Sequence, residues 1–168
     1  MYNVGDLILY GRTGVCRVAE ICDGSPDSAG NPQQYYTLQP LYQSCSIRIP
    51  VSNGKVFSRP IISGAEAKKL IQEMPDIPAE PYYNRNLNQL REHYRTCMES
   101  YRCLDLIVMT KSLYMKKKQA EKERKKFGTV DERFMREAED LLFGEFVAAL
   151  QIDRETVENY IAKSLQRG

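Results

Sequence analysis

The 168-residue chain contains no tryptophan, a single histidine and no proline beyond Pro81. One histidine, His93, excludes a histidine-based metal cluster. Cys16, Cys22, Cys45, Cys97 and Cys103 are odd in number, scattered and without a CxxC pair, so they read as reduced thiols rather than a disulfide framework or zinc site. There is no GxGxxG, Walker-type phosphate loop, GxSxG or HExxH. His93 and Cys97, at i and i+4, are the one conceivable nucleophile pair and read better as neighbours on a helix. No enzyme, cofactor, metal or small-molecule substrate is therefore expected. No apolar run is long enough to span a bilayer. The N-terminus lacks a basic region followed by an apolar one, so neither a signal peptide nor a membrane association is expected and the localisation reads as cytoplasmic. The net charge of +2 says little about partners.

What is present divides the chain into two textures. Residues 1–60 hold most of the glycines and many β-formers, whereas 84–168 are rich in Leu, Glu, Lys, Arg and Met. Between them Pro75, Pro78 and Pro81 interrupt any helix and favour an extended connector. The expected domains are 1–74, a linker 75–83 and 84–168.

Val4-Gly5-Asp6 followed by Leu7-Ile8-Leu9-Tyr10 reads as a turn and a strand, and Gly11 and Gly14 bracket Arg12-Thr13 in a tight reversal into a second strand. Strands are expected near 7–10, 14–21, 34–39, 45–50 and 55–58, with a loop over 23–32. This is the pattern of a small, strongly bent β-barrel that binds rather than catalyses. Ile47, Ile49 and Val51 alternate with Ser46, Arg48 and Pro50, which predicts that Arg48 points away from the core. A short helix follows Gly64, capped near Ser63.

Four further helices are expected. The first spans about 84–98, with Leu87, Leu90 and Tyr94 on one face. The second spans about 100–125, with Leu104, Ile107, Val108, Lys111 and Met115 aligned. The third runs from Thr129, in a capping box with Glu132, to about 150, with Phe134, Ala138, Leu141, Leu142, Glu145 and Phe146 aligned. The fourth runs from Asp153 as N-cap to about 167, with Val157, Ile161 and Leu165 aligned. Residues 116–126 carry seven basic and two acidic side chains, net +5. They suit either a solvated helix end or a contact with nucleic-acid phosphates, for which Lys117, Lys118, Lys125 and Lys126 are the candidates. Tyr82-Tyr83-Asn84-Arg85 either staples the connector to the first of these helices or wedges at a DNA minor groove.

Val4-Gly5-Asp6, the strand ending at Tyr10, the glycine-bracketed turn, Tyr35-Tyr36-Thr37-Leu38, Ile47-Arg48-Ile49-Pro50-Val51 and the helix after Gly64 together resemble the CarD/CdnL transcription regulators. The same β-module occurs in the polymerase-binding domain of the transcription-repair coupling factor, and the resemblance continues through the helical half. It implies an α+β fold: a Tudor-like small bent β-barrel or sheet with a short helix, then an all-α domain. It further implies docking on the RNA polymerase β subunit and stabilisation of the promoter open complex by the helical domain at upstream-edge promoter DNA. Arg48 matches the strand arginine used against polymerase, with Ile47, Ile49 and Pro50 beside it. Tyr83, and next Tyr82, stand where such proteins carry a tryptophan, with Asn84 and Arg85 following as the polar and basic positions. A second basic position of the family falls near Asp23-Gly24. The alternative expectation is a polymerase-binding adaptor whose helical domain recruits another protein.

Overall fold

The computed structural model describes residues 1–52 and 54–166, the stretch 164–166 by backbone alone. The chain forms two compact units, Met1–Ser63 and Gly64–Gly168. The fold class is α+β, a β-unit followed by a helical one.

The first unit is an antiparallel sheet of β1 (Leu7–Tyr10), β2 (Gly14–Gly24), β3 (Gln33–Pro40), β4 (Ile47–Pro50) and β5 (Ser58–Pro60), in the order β4-β3-β2-β1-β5. The reversal between β1 and β2 is a 3-10 turn, and Gly11 (φ 46°) and Gly14 (φ 89°) supply the positive φ angles it needs. Pro60 lies on an edge strand, where the missing N–H costs no ladder bond.

Ile8, Tyr10, Cys16, Val18, Tyr36 and Leu38 form the core of the sheet, and Ile21, Ile47, Ile49 and Val51 pack against it. A bulge between Val18 and Glu20 inserts one residue into β2. The inward set therefore moves from even to odd numbers, and Ile21 lands opposite Tyr36.

The helical unit comprises α1 (Gly64–Glu73), α2 (Leu87–Met98), α3 (Cys103–Lys122), α4 (Thr129–Leu150) and α5 (Arg154–Gln166). Its core takes Leu90, Tyr94 and Met98 from α2, Leu106, Ile107, Met109 and Leu113 from α3, Phe134, Ala138, Leu142 and Phe146 from α4, and Val157 and Ile161 from α5. Asn86 caps α2 by accepting from the Asn88 and Gln89 amides, and Asp153 caps α5 by accepting from the Thr156 amide at 2.7 Å.

Several expectations change here. The boundary at 74 moves to 63, because α1 packs Ala67 and Ile71 with α4 and α5. The proline segment is not a free linker: Lys111 Nζ donates to the carbonyls of Met74 (2.7 Å), Pro75 (3.4 Å) and Ile77 (2.6 Å). Pro78 and Pro81 offer no N–H to the carbonyls of Met74 and Ile77, four residues before them, and a lysine on α3 supplies donors there. Leu104 and Met115, expected on the core face of α3, are exposed, because that helix buries the face of Leu106, Met109 and Leu113; Leu87, the first residue of α2, is exposed as well. Gly128 rather than Thr129 occupies the N-cap of α4, with no side-chain cap. Leu165 lies outside the described side chains. Among the described residues no helix is long and apolar enough to cross a membrane.

Candidate polymerase- and DNA-contacting sites

In the β-unit, the amide of Val51 donates to the Gln34 carbonyl (2.9 Å), and the register continues as Tyr35↔Pro50, Tyr36↔Ile49, Thr37↔Arg48 and Leu38↔Ile47. Hydrogen-bonded and non-bonded pairs alternate, so Ile49 and Ile47 exchange bonds with β3. The N–H and C=O of Arg48 then face the open side of β4, which is the terminal strand of the sheet. Pro50 adds a carbonyl there but no donor. The isoleucines point to the core and Arg48 is exposed, as the alternation predicts.

Arg48 is held in place. Its guanidinium lies 4.9 Å from the centroid of the Tyr35 ring, and Nη2 donates to Cys22 Sγ at 3.7 Å. Tyr35 is anchored in turn, its hydroxyl donating to the Ser25 carbonyl and Gln33 Oε1. The ring covers Gly24 so closely that a Cβ there would overlap it.

In the helical unit the candidate residues separate into different roles. Tyr82 stacks on His93, with ring centroids 3.7 Å apart and nearly parallel. Its hydroxyl accepts from Asn84 Nδ2 at 3.1 Å. Asn84 also donates to Gln89 Oε1 and accepts from the Asn86 amide, so it organises the entry to α2. Tyr83 is different: it is 61% exposed, and one face of its ring lies 4.8 Å from Lys116 Nζ. Arg85 and Leu87 are exposed beside it. These residues rim a cleft of about 620 Å³ whose floor holds Lys116 and Asp131 and whose wall is formed by residues 128–130 at the start of α4.

Lys116, counted with the basic run, is not on the surface. It is 8% exposed, its ammonium paired with Asp131 Oδ1 at 2.9 Å and donating to the Tyr94 hydroxyl at 3.4 Å. Tyr94 donates to the same carboxylate oxygen, and burial together with this bond holds its phenol well above the ordinary tyrosine range. Sequence reasoning missed this cluster, although Lys116 continues the three-four spacing of Leu106, Met109 and Leu113.

The remaining lysines do not share one helical face. α3 ends at Lys122: Arg124 adopts a left-handed conformation (φ 56°), its amide donating to the Glu121 carbonyl and that of Lys125 to the Ala120 carbonyl. This Schellman-type end replaces the helix expected to 125, so Lys125 and Lys126 lie beyond it. Lys118 pairs with Glu121 and Lys125 with Glu123, both at 3.5 Å, while Lys117 and Lys126 are exposed.

Cys97 Sγ lies 3.7 Å from His93 Nε2. Burial raises the thiol's pKa and lowers that of the imidazole, with Asp105 and Lys116 adding to the respective shifts. Both groups are held neutral, the reverse of the thiolate–imidazolium pair a nucleophile requires. Among the described residues no group of acidic, cysteine and histidine side chains is placed to hold a metal ion.

Residues 2–62 match the model of the CarD-like/TRCF RID domain. The match covers the whole β-sheet and stops at the start of the helical unit. The N-terminal unit is thus similar to an RNA polymerase-interacting module. No curated protein matches the chain.

Proposed function

We propose that this protein is a transcription regulator that docks on the RNA polymerase β subunit and stabilises the promoter open complex through contacts of its helical unit with upstream-edge DNA. The observation that carries the docking half is the presentation of Arg48 on the open edge of β4 in a polymerase-interacting module. A strand of the β subunit adding to this edge pairs its backbone with Arg48, while Pro50 limits how far the ladder extends. Ile47 and Ile49 hold the strand on the core from behind, and the cation fixes the register with an acidic partner.

The helical half contributes Tyr83 as an exposed aromatic wedge, Arg85 beside it, and Lys117, Lys118, Lys125 and Lys126 as phosphate contacts. Tyr82 and Asn84 support the wedge from within the protein. A protein that binds polymerase and the opened duplex together favours the open state by its differential affinity for that state. Tethering through polymerase raises the local concentration at DNA, so the DNA contact works while weak.

The test is capture of purified polymerase, and of its isolated β subunit, by the full chain. Arg48→Glu is expected to abolish capture while leaving the melting temperature unchanged. Equal capture by parent and variant refutes the docking assignment. The adaptor reading, in which the helical unit recruits a protein, is favoured by the pairing of Lys118 and Lys125 with glutamates and by exposed Leu104, Tyr114 and Met115 on α3. Footprinting with polymerase separates the two: an upstream-edge footprint supports DNA contact, and its absence supports the adaptor.

A further inference from the structure

We infer that Lys116 is a positioning residue for Tyr83: a buried cation that holds the exposed ring in the orientation in which it meets the melted DNA edge. The inference rests on the proposed role of Tyr83 and adds a residue that the family match does not assign. Tyr83 is 61% exposed and, alone on the surface, would sample several rotamers. One face of its ring lies 4.8 Å from Lys116 Nζ, within cation–π range. That ammonium is itself immobile. It is 8% exposed, paired at 2.9 Å with Asp131 on α4, and within 3.4 Å of the hydroxyl of Tyr94 on α2. Three helices therefore converge on one fixed charge, and the charge supports a single surface aromatic.

The arrangement has a chemical consequence as well as a geometric one. A cation beneath one face draws electron density from the ring, which makes the outer face a better stacking partner for an electron-rich nucleobase. Lys116 and Asp131 on the cleft floor neutralise one another, so the floor offers phosphate no net positive charge. The site thus favours an unstacked base over backbone, in keeping with a junction contact and not with general DNA affinity.

The test uses the full chain with polymerase and promoter DNA. Lys116→Met risks leaving Asp131 unpaired, so Lys116→Met/Asp131→Asn is the working variant and Lys116→Arg the conservative one, each checked for fold by circular dichroism. In the parent, nuclear Overhauser contacts are expected between the Lys116 side chain and the Tyr83 ring. The double variant is expected to shorten open-complex lifetime roughly two- to five-fold, the range such a cation–π contact commands. Lys116→Arg retains the lifetime, and the double variant has no further effect in a Tyr83→Ala background. A double variant with parental lifetime, when Tyr83→Ala shortens it, overturns the role of Lys116 alone. Parental lifetime in Tyr83→Ala itself overturns the reading of Tyr83 and the positioning role with it, and the Overhauser contact then marks the pair as structural. Absence of that contact in the parent overturns the inference directly.

Discussion

Lys116→Met removes a buried cation and leaves the Asp131 carboxylate with one donor among its two observed partners, the Tyr94 hydroxyl. Breaking one side of a buried ion pair costs roughly 3–5 kcal/mol. Tyr94 still donates to the carboxylate, a bond of ~1.5–3 kcal/mol when the acceptor is charged. The pair also forms the floor of a cleft, which admits some water. The expected destabilisation is therefore at the lower end, about 3 kcal/mol. In a unit of on the order of one hundred residues each kcal/mol moves the melting temperature by roughly 4–8 °C, so the helical transition should fall by roughly 12–24 °C. Lys116→Met/Asp131→Asn removes both charges while Asn keeps an acceptor for Tyr94, and should melt within ~1 kcal/mol of the parent. The assay is thermal unfolding of the full chain followed at the helical circular-dichroism band, with Asp131→Asn alone completing the cycle. The coupling between the two substitutions should be about 2 kcal/mol or more. A fall of under ~4 °C for Lys116→Met, or a double variant no more stable than the single, refutes the account of a mutually dependent buried pair.

Tyr94 supplies a pH test. Its folded-state pKa is raised above the ordinary value of 10.0, so the folded protein keeps the proton that the unfolded chain releases. Its contribution is complete below pH 10.0 and is lost as pH rises from there. Tyr94→Phe should lower stability at neutral pH by about 1.5–3 kcal/mol and flatten the alkaline decline in a pH series of chemical melts; an unchanged alkaline slope counts against it. Gly24→Ala should displace the Tyr35 ring that carries Arg48 and weaken polymerase capture, while Gly54→Ala, at a glycine with open space around it, leaves capture intact. Equal capture by both would show that the ring does not matter. Replacing Lys117, Lys118, Lys125 and Lys126 with Ala should reduce affinity for all DNA alike and lower the salt slope by roughly one for each phosphate no longer neutralised, with sequence preference unchanged. A salt slope equal to the parent's would assign these side chains to solvent.

Much of the architecture is legible along the chain because it depends on near neighbours. The glycines at 11 and 14 specify the first reversal, since few other residues adopt its positive φ angles. The alternation of Ile47, Arg48 and Ile49 assigns Arg48 to the outer face, because side chains alternate on any strand whatever its partner. The α4 stripe from Phe134 to Phe146 emerges from helical spacing in the same way.

The tertiary structure decided what those faces meet. Periodicity identifies an apolar side without naming the element that covers it, so the allegiance of α1 to the helical unit depended on packing with α4 and α5. The bulge that brings Ile21 to the core required β3 to set the register. Most of all, Lys116 belongs by composition to a basic surface run, and only the arrival of Asp131, fifteen residues later, and of Tyr94, twenty-two earlier, makes its burial tolerable. A charge enters an interior when distant groups compensate it, and chain-local pattern contains no information about partners that only folding brings within 3 Å.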